Sequence, residues 1–340
     1  MPNFHAYGMT LCSNVQIPGL HPLSTDEDRQ ESIQVFWGLL PKWFLLTLAV
    51  TKSSPEYYLS PYEDEQGNPL LRVWKINQDK HFYFYYADET EFVIDCQGTE
   101  IWANWPENLT REDAATYLLG PIVGFILRLR GKVCLHASAV VINERVAVFI
   151  GRSGAGKSTT AAGFAQRGYP VLAEDVVTLI ERDSTFQIQP AYPHIRLWDS
   201  SVQALYGTTA ALPRLVPTHP TWDKRYLDLT QAGYQFQQNP LSLATLYYLN
   251  PRRDDITCPR IETMSAQEQL ITLVTNTYTN YLLDKQQRAH EFEVLSRLVK
   301  YVPIRQITPH NDVSPLPQLL DLVLADFEGK VVSESPVTHA

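Results

Sequence analysis

The sequence predicts an α/β chain, α+β overall, in which a mostly β N-terminal domain precedes a core built on a phosphate-binding loop. Three observations carry that expectation. Val146-Ala-Val-Phe-Ile150 is a short apolar run with β-branched residues, the pattern of a buried strand. Gly151-Arg-Ser-Gly-Ala-Gly-Lys-Ser158 follows directly and fits G-x-x-x-x-G-K-S/T, and residues 159–167 can continue as a helix until Gly168 and Pro170 stop it. Residues 1–105, in contrast, carry short β-rich runs separated by turn chemistry. The expected division is 1–109 for the β domain, 110–328 for the phosphate-loop domain and 329–340 for a frayed tail.

In chain order, residues 71–76, 81–86 and 91–95 read as strands, parted by Gln66-Gly-Asn-Pro69 and Gln97-Gly98. Their tyrosines and phenylalanines fit a covered sheet face better than a stacking platform, and this half shows no catalytic signature. A helix begins at Thr110, with Thr110 and Asp113 as a capping pair, and runs to about Arg130 with a bend at Gly120-Pro121. Residues 131–142 form a strand, and Asn143-Glu144 turns the chain into the strand that feeds the loop. Beyond the loop helix, 169–173 is a buried strand ending in the adjacent acids Glu174 and Asp175. Short strands follow at 176–180, 186–189 and 195–198, then a proline-rich stretch at 213–220, a run at 223–229 and a strand at 243–249. Ser265 and Glu268 form a capping box for a helix to about 283, and a second helix spans 285–300. A strand at 302–307 and a helix at 315–327 complete the expected order.

Composition narrows the function classes. With 340 residues, 44% hydrophobic and 19% charged, the chain can bury a substantial core, and no large part reads as disordered. A net charge of −9, without any Lys/Arg-rich run, argues against a nucleic-acid partner. Cys12, Cys96, Cys134 and Cys258 are far apart and lack C-x-x-C spacing, which suits free thiols in a reducing cytoplasm. The start of the chain lacks the pattern of a signal peptide. The most apolar stretches, 35–50 and 118–129, are too short or too broken by Pro41, Lys42 and Pro121 to span a bilayer, so no membrane partner is expected.

The loop carries the chemistry. Its glycines let the backbone take positive φ and approach an anion closely, and its N–H groups with the helix N-terminus surround nucleotide phosphates. Gly151, Ser153, Gly154, Ala155, Gly156, Lys157, Ser158 and Thr159 are the expected ATP-binding residues. Lys157 reaches the β- and γ-phosphates, and the Ser158 hydroxyl ligates Mg²⁺. Glu174 and Asp175, at a strand end near this loop, lie where Mg²⁺ or an attacking hydroxyl is met; a solvated acidic turn is the other reading. Read alone, His136 is more often a core histidine, and Lys224-Arg225 is as readily a solvated pair.

Taken together, His136 in a strand, the loop ending at Ser158, Arg167-Gly168 closing the helix, and Val171-Leu-Ala-Glu-Asp175 resemble the catalytic domain of HPr kinase/phosphorylase. Leu135-His-Ala-Ser-Ala139 with Ala147-Val-Phe-Ile-Gly-Arg-Ser-Gly-Ala-Gly-Lys157 also resembles the ATP-dependent phosphoenolpyruvate carboxykinases, which share that nucleotide-binding core. The close resemblance covers residues 131–180. Pro193-His-Ile-Arg-Leu-Trp198, Lys224-Arg225 and the helix pair from Ser265 are similar to stand-alone HPr-kinase-like proteins, some of which phosphorylate a serine on a precursor peptide. The resemblance implies an active-site role for His136. It also implies an acid pair in Glu174 and Asp175, one the general base and one on Mg²⁺, with Asp175 assigned alongside Ser158 to the metal. Arg196 and Arg225 are implied to neutralise phosphate charge. The family more often has two aspartates at the acid pair, where this chain has Glu174 first. The bifunctional family's C-terminal substrate signature and its usual first domain have no counterpart here. Neither phosphorylase activity nor HPr as acceptor therefore follows. The chain is short for a carboxykinase and lacks the oxaloacetate-binding residues. The family's tendency to oligomerise points to self-association.

Two functions compete. One is an ATP-dependent kinase acting on a serine or threonine hydroxyl of a protein, peptide or small molecule. The other is an ATP-binding sensor or scaffold without turnover. A binder needs the loop, Lys157 and Ser158 but no carboxylate base, so the acid pair favours the kinase.

Overall fold

The computed structural model describes residues 1–23, 32–216, 222–253, 258–310 and 316–330. The last ten residues of the expected tail, and residues 217–220 of the proline-rich stretch, lie outside them. The chain divides into two compact units, residues 1–130 with 216–222, and residues 131–215 with 223–340.

The first unit holds β1 (Asn3–Ala6), β2 (Met9–Ser13), β3 (Ser32–Trp37), α1 (Lys42–Leu45), α2 (Leu48–Lys52), β4 (Tyr58–Leu59), β5 (Leu71–Ile76), β6 (His81–Tyr86), β7 (Glu91–Asp95), β8 (Glu100–Asn104), α3 (Arg111–Tyr117) and α4 (Val123–Leu129). Its strands form one sheet in the order β1-β2-β3-β8-β7-β6-β5-β4. Strands β5, β6 and β7 fall on the three expected runs, and with β8, which was not expected, they form an antiparallel meander. The expected helix from Thr110 is present, with the Thr110/Asp113 capping box formed, and a π-helical turn at 118–122 takes up Pro121. The expected boundary at 109/110 is displaced to 130/131. The reason is packing: the Phe125 ring meets Phe82 and Phe84 edge-on at 4.9 and 5.3 Å, so α4 covers the first sheet.

The second unit contains β9 (Val133–Ile142), β10 (Arg145–Ile150), α5 (Lys157–Gln166), β11 (Val171–Arg182), β12 (Thr185–Gln189), β13 (His194–Trp198), α6 (Asp199–Tyr206), β14 (Lys224–Asp228), β15 (Leu241–Leu249), β16 (Arg260–Thr263), α7 (Ala266–Thr275), α8 (Lys285–Tyr301), β17 (Ile304–Thr308) and α9 (Leu316–Phe327). The sheet order is β10-β9-β11-β12-β15-β17-β16, with β10 also paired in parallel to β15; β13 and β14 form a separate ribbon. Phe149, Phe164 and Tyr247 stack between sheet and α5, with centroids 5.8 and 5.6 Å apart, and Leu319, Leu320 and Val323 of α9 join that core.

Two expectations change here. The expected strands at 169–173 and 176–180 are one strand, β11, running antiparallel to β9 through both acids. Asp175 bends it, with φ +67°. The helix from Ser265 ends at Thr275 and not near 283, because residues 276–278 leave it to pair with the start of β9. All four cysteines are free. Among the described residues, no helix is long and apolar enough to cross a membrane.

Candidate functional site

Strand register gathers the site. Ile150, the last residue before the glycine loop, pairs with Ala137, while Asp175 pairs with Ala137 from the other side and Glu174 with Ser138. His136, the loop and both acids therefore meet at one end of the sheet. They line a cavity of about 470 Å³ together with Ser153, Gly154, Gly156, Lys157, Ser158 and Thr159. Across from them stand Arg196, Trp198, Ser200, Ser201, Lys224 and Arg252.

The loop is pressed against β15. A Cβ on Gly151 would lie 2.8 Å from the Leu249 carbonyl oxygen, so the turn passes too close to β15 for any other residue. Gly156 caps α5 at φ +104°, which leaves the first N–H groups of the helix facing the cleft. The buried Lys157 ammonium donates to the carbonyl oxygens of Gly151 (2.8 Å) and Arg152 (3.2 Å), tying the loop to its own helix. Burial lowers the Lys157 pKa, against the pull of Asp175 and Glu174. Ala155 lines a small hollow on the other side of the loop, and Gly151 sits beneath it against Leu249.

The two acids have different neighbours. Ser158 Oγ donates to Glu174 Oε1 at 2.6 Å, and the Arg196 backbone N–H donates to Glu174 Oε2 at 3.3 Å. Burial, and then the charge of Asp175, push Glu174 up to about 7, although the Ser158 hydrogen bond works the other way. Asp175 Oδ2 accepts from the Tyr278 hydroxyl at 3.0 Å and lies 3.9 Å from the Arg196 guanidinium, while Oδ1 lies 3.5 Å from His136 Nε2. Burial raises the Asp175 pKa, but His136, Arg196, Lys224 and Tyr278 outweigh it and hold the carboxyl below its ordinary value. Desolvation lowers His136 against the attraction of Asp175, so the imidazole is neutral at pH 7. The acid against Ser158 is thus Glu174, whereas the sequence assigned Asp175 to that place.

Of the two arginines expected to offset phosphate charge, one is in the cleft. Arg196 lines it and is braced by the Tyr192 hydroxyl at 2.6 Å. Arg225 is held by Asp199 at 2.7 Å and the Leu212 carbonyl at 3.2 Å, outside the cleft lining, which corrects its expected role. Adjacent strand residues face opposite ways, and it is Lys224 that enters. Its ammonium rests 4.8 Å over the Trp198 ring, its cross-strand partner.

Sequence reasoning passed over Tyr278, Trp198, Ser200, Ser201 and Arg252. Tyr278 arrives because its N–H donates to the Cys134 carbonyl at 2.8 Å and the His136 N–H donates to the Asn276 carbonyl at 2.8 Å. No local pattern marks it. Trp198 is likewise unmarked, since its pairing with Lys224 follows only from the strand register.

No protein-family model matches the chain, and no curated protein matches it. Among solved structures, the HPr(Ser) kinase/phosphatase from Coxiella burnetii is similar at 14% identity, over 58% of this chain and 95% of that one, with a TM-score of 0.32. A superposition that loose carries no argument about activity.

Proposed function

We propose that the second unit is an ATP-dependent phosphotransferase acting on a hydroxyl acceptor. The observation that carries this reading is the division between the two acids of the cleft: Glu174 accepts from Ser158, while Asp175 is held below its ordinary pKa and accepts from Tyr278. A module that only binds nucleotide has no use for the second carboxylate.

The donor set at Ser158 and Glu174 is all oxygen, with Glu174 buried and Ser158 half-buried, which fits Mg²⁺. These two residues would hold the ion, and when bound it offsets charge on the β- and γ-phosphates. Gly154, Gly156 and the first turn of α5 seat the phosphates. Lys157 exchanges its two carbonyl partners for phosphate oxygens. Asp175 takes the proton from the acceptor hydroxyl, and Arg196 and Lys224 face the charge on the transferred group. Tyr278 orients Asp175 and is a positioning residue.

The test uses ATP labelled in the γ-phosphate, Mg²⁺, the purified chain, and source-cell extract split into macromolecular and small-molecule fractions. Label is expected in one fraction with the wild type and in neither with Lys157→Ala. ATP that is bound but never donates to either fraction would leave the sensor or scaffold reading standing instead.

A further inference from the structure

Among the described residues, the cleft lining carries four cations, Lys157, Arg196, Lys224 and Arg252, against two acids, Glu174 and Asp175. With His136 neutral, that is a formal surplus of two positive charges in a chain of net charge −9. Lys157 bonds loop carbonyls, Arg196 lies beside Asp175, and Lys224 rests over Trp198. Arg252 approaches from another side. It follows Leu249, the β15 residue against which Gly151 is pressed, by three positions. The turn that carries it is tied down on both sides by the end of β17. The Asn250 N–H donates to the Ile307 carbonyl at 2.8 Å, and the Arg253 N–H donates to the Pro309 carbonyl at 3.1 Å.

A Cβ on Gly156 would lie 3.1 Å from Arg252 Nη2, so the guanidinium packs on the last glycine of the loop, at the N-terminal end of α5. A cation there meets the positive end of the helix dipole, whereas an anion seated between the two is attracted by both. Arg252 also lines the small hollow on the other side of the loop, with Gly156, Thr159 and Thr160, and neither acid lines that hollow. It therefore stands at the end of the anion site away from Asp175. We propose that Arg252 binds the α- and β-phosphates of the nucleotide, the part that remains as the diphosphate after transfer. The loop N–H groups cradle those same phosphates, and the guanidinium closes the cradle from the β15 side. Its planar fork can bond two phosphate oxygens at once, which a lysine cannot match. The assignment rests on the nucleotide reading of the cleft but not on transfer.

Calorimetry in Mg²⁺ measures the affinity for ADP and for ATP of the full chain, Arg252→Ala and Arg252→Lys, with label transfer from ATP followed in parallel. Arg252→Ala is expected to bind both nucleotides about tenfold to a hundredfold more weakly, by the same factor, because both carry the phosphates it meets. Arg252→Lys keeps the charge without the fork and should fall between. Unchanged affinity in Arg252→Ala overturns the assignment. So does a loss confined to ATP, which would put Arg252 at the γ-phosphate. If Arg252→Ala does not fold, Arg252→Lys decides: a shared loss on ADP and ATP supports the assignment, and wild-type affinity overturns it. A wild type that binds both nucleotides and transfers no label would remove the phosphotransferase reading, and with the shared loss in Arg252→Ala it would leave this assignment standing. A wild type that binds neither nucleotide overturns both.

Discussion

Glu174 and Asp175 are sequence neighbours of the same charge, and their surroundings separate them. In the folded chain Glu174 holds its proton up to about 7, above its ordinary value of 4.5. The folded state therefore binds more protons than the unfolded one across that window, so stability falls as pH rises through it and levels off above. Glu174→Gln removes the titration. In metal-free buffer its melting temperature should gain on the wild type between about pH 5 and about pH 8, and a constant difference would contradict the burial. Tyr278→Phe deletes the hydroxyl that donates to Asp175 while keeping the ring beside His136. It is expected to lower kcat about tenfold with the KM for ATP unchanged, because Tyr278 is not among the residues lining the cleft. The loop pattern marked residues 151–159 and drew attention to the nearby acid pair, whereas His136 and Arg196 entered only through a family resemblance; the cleft lining includes both of these and both acids. Tyr278 was not legible, since strand pairing brings it to Asp175 from 103 residues away. Nor could the sequence tell Lys224 from Arg225, because only the ribbon's facing decides which of the two enters the cleft.

Among elements, the antiparallel trio β9, β10 and β11 makes the site, and β15 sets how close the loop can pass. Gly151→Ala forces a Cβ against the Leu249 carbonyl and strains a φ of +152°. The variant is expected to lose about 1–3 kcal/mol by denaturant unfolding and to bind ATP poorly. An unfolding midpoint equal to the wild type's would mean that the loop is not pinned to β15. Helix starts were readable where a capping pair announced them, at Thr110/Asp113 and Ser265/Glu268. The end of α7 was not, since residues 276–278 leave a continuing helix pattern for a long-range pairing with β9. The same limit hid β11, where two adjacent acids look like the end of a strand until β9 is alongside.

At the scale of the whole chain, every residue lining the cleft belongs to the second unit. A fragment starting at Gly131 is accordingly expected to keep its thermal stabilisation by Mg²⁺ and ATP. Its melting temperature should be lower, because Trp222, whose ring lies 5.9 Å from Tyr117, belongs with the first unit and loses that partner. A folded fragment without that stabilisation would place part of the nucleotide site in residues 1–130. The two-part α/β division was readable from composition and periodicity. The boundary was not, because α3 and α4 have the character of a core element and only packing on Phe82 and Phe84 assigns them. The central claim is that one acid serves nucleotide binding and the other serves transfer. The most direct test measures ATP affinity by calorimetry with Mg²⁺, and label transfer from ATP in parallel, for the wild type, Asp175→Asn and Glu174→Gln. Asp175→Asn should bind ATP within about twofold of the wild type and transfer at least about a hundredfold more slowly, while Glu174→Gln should lose binding in Mg²⁺. Unimpaired transfer by Asp175→Asn would contradict the account.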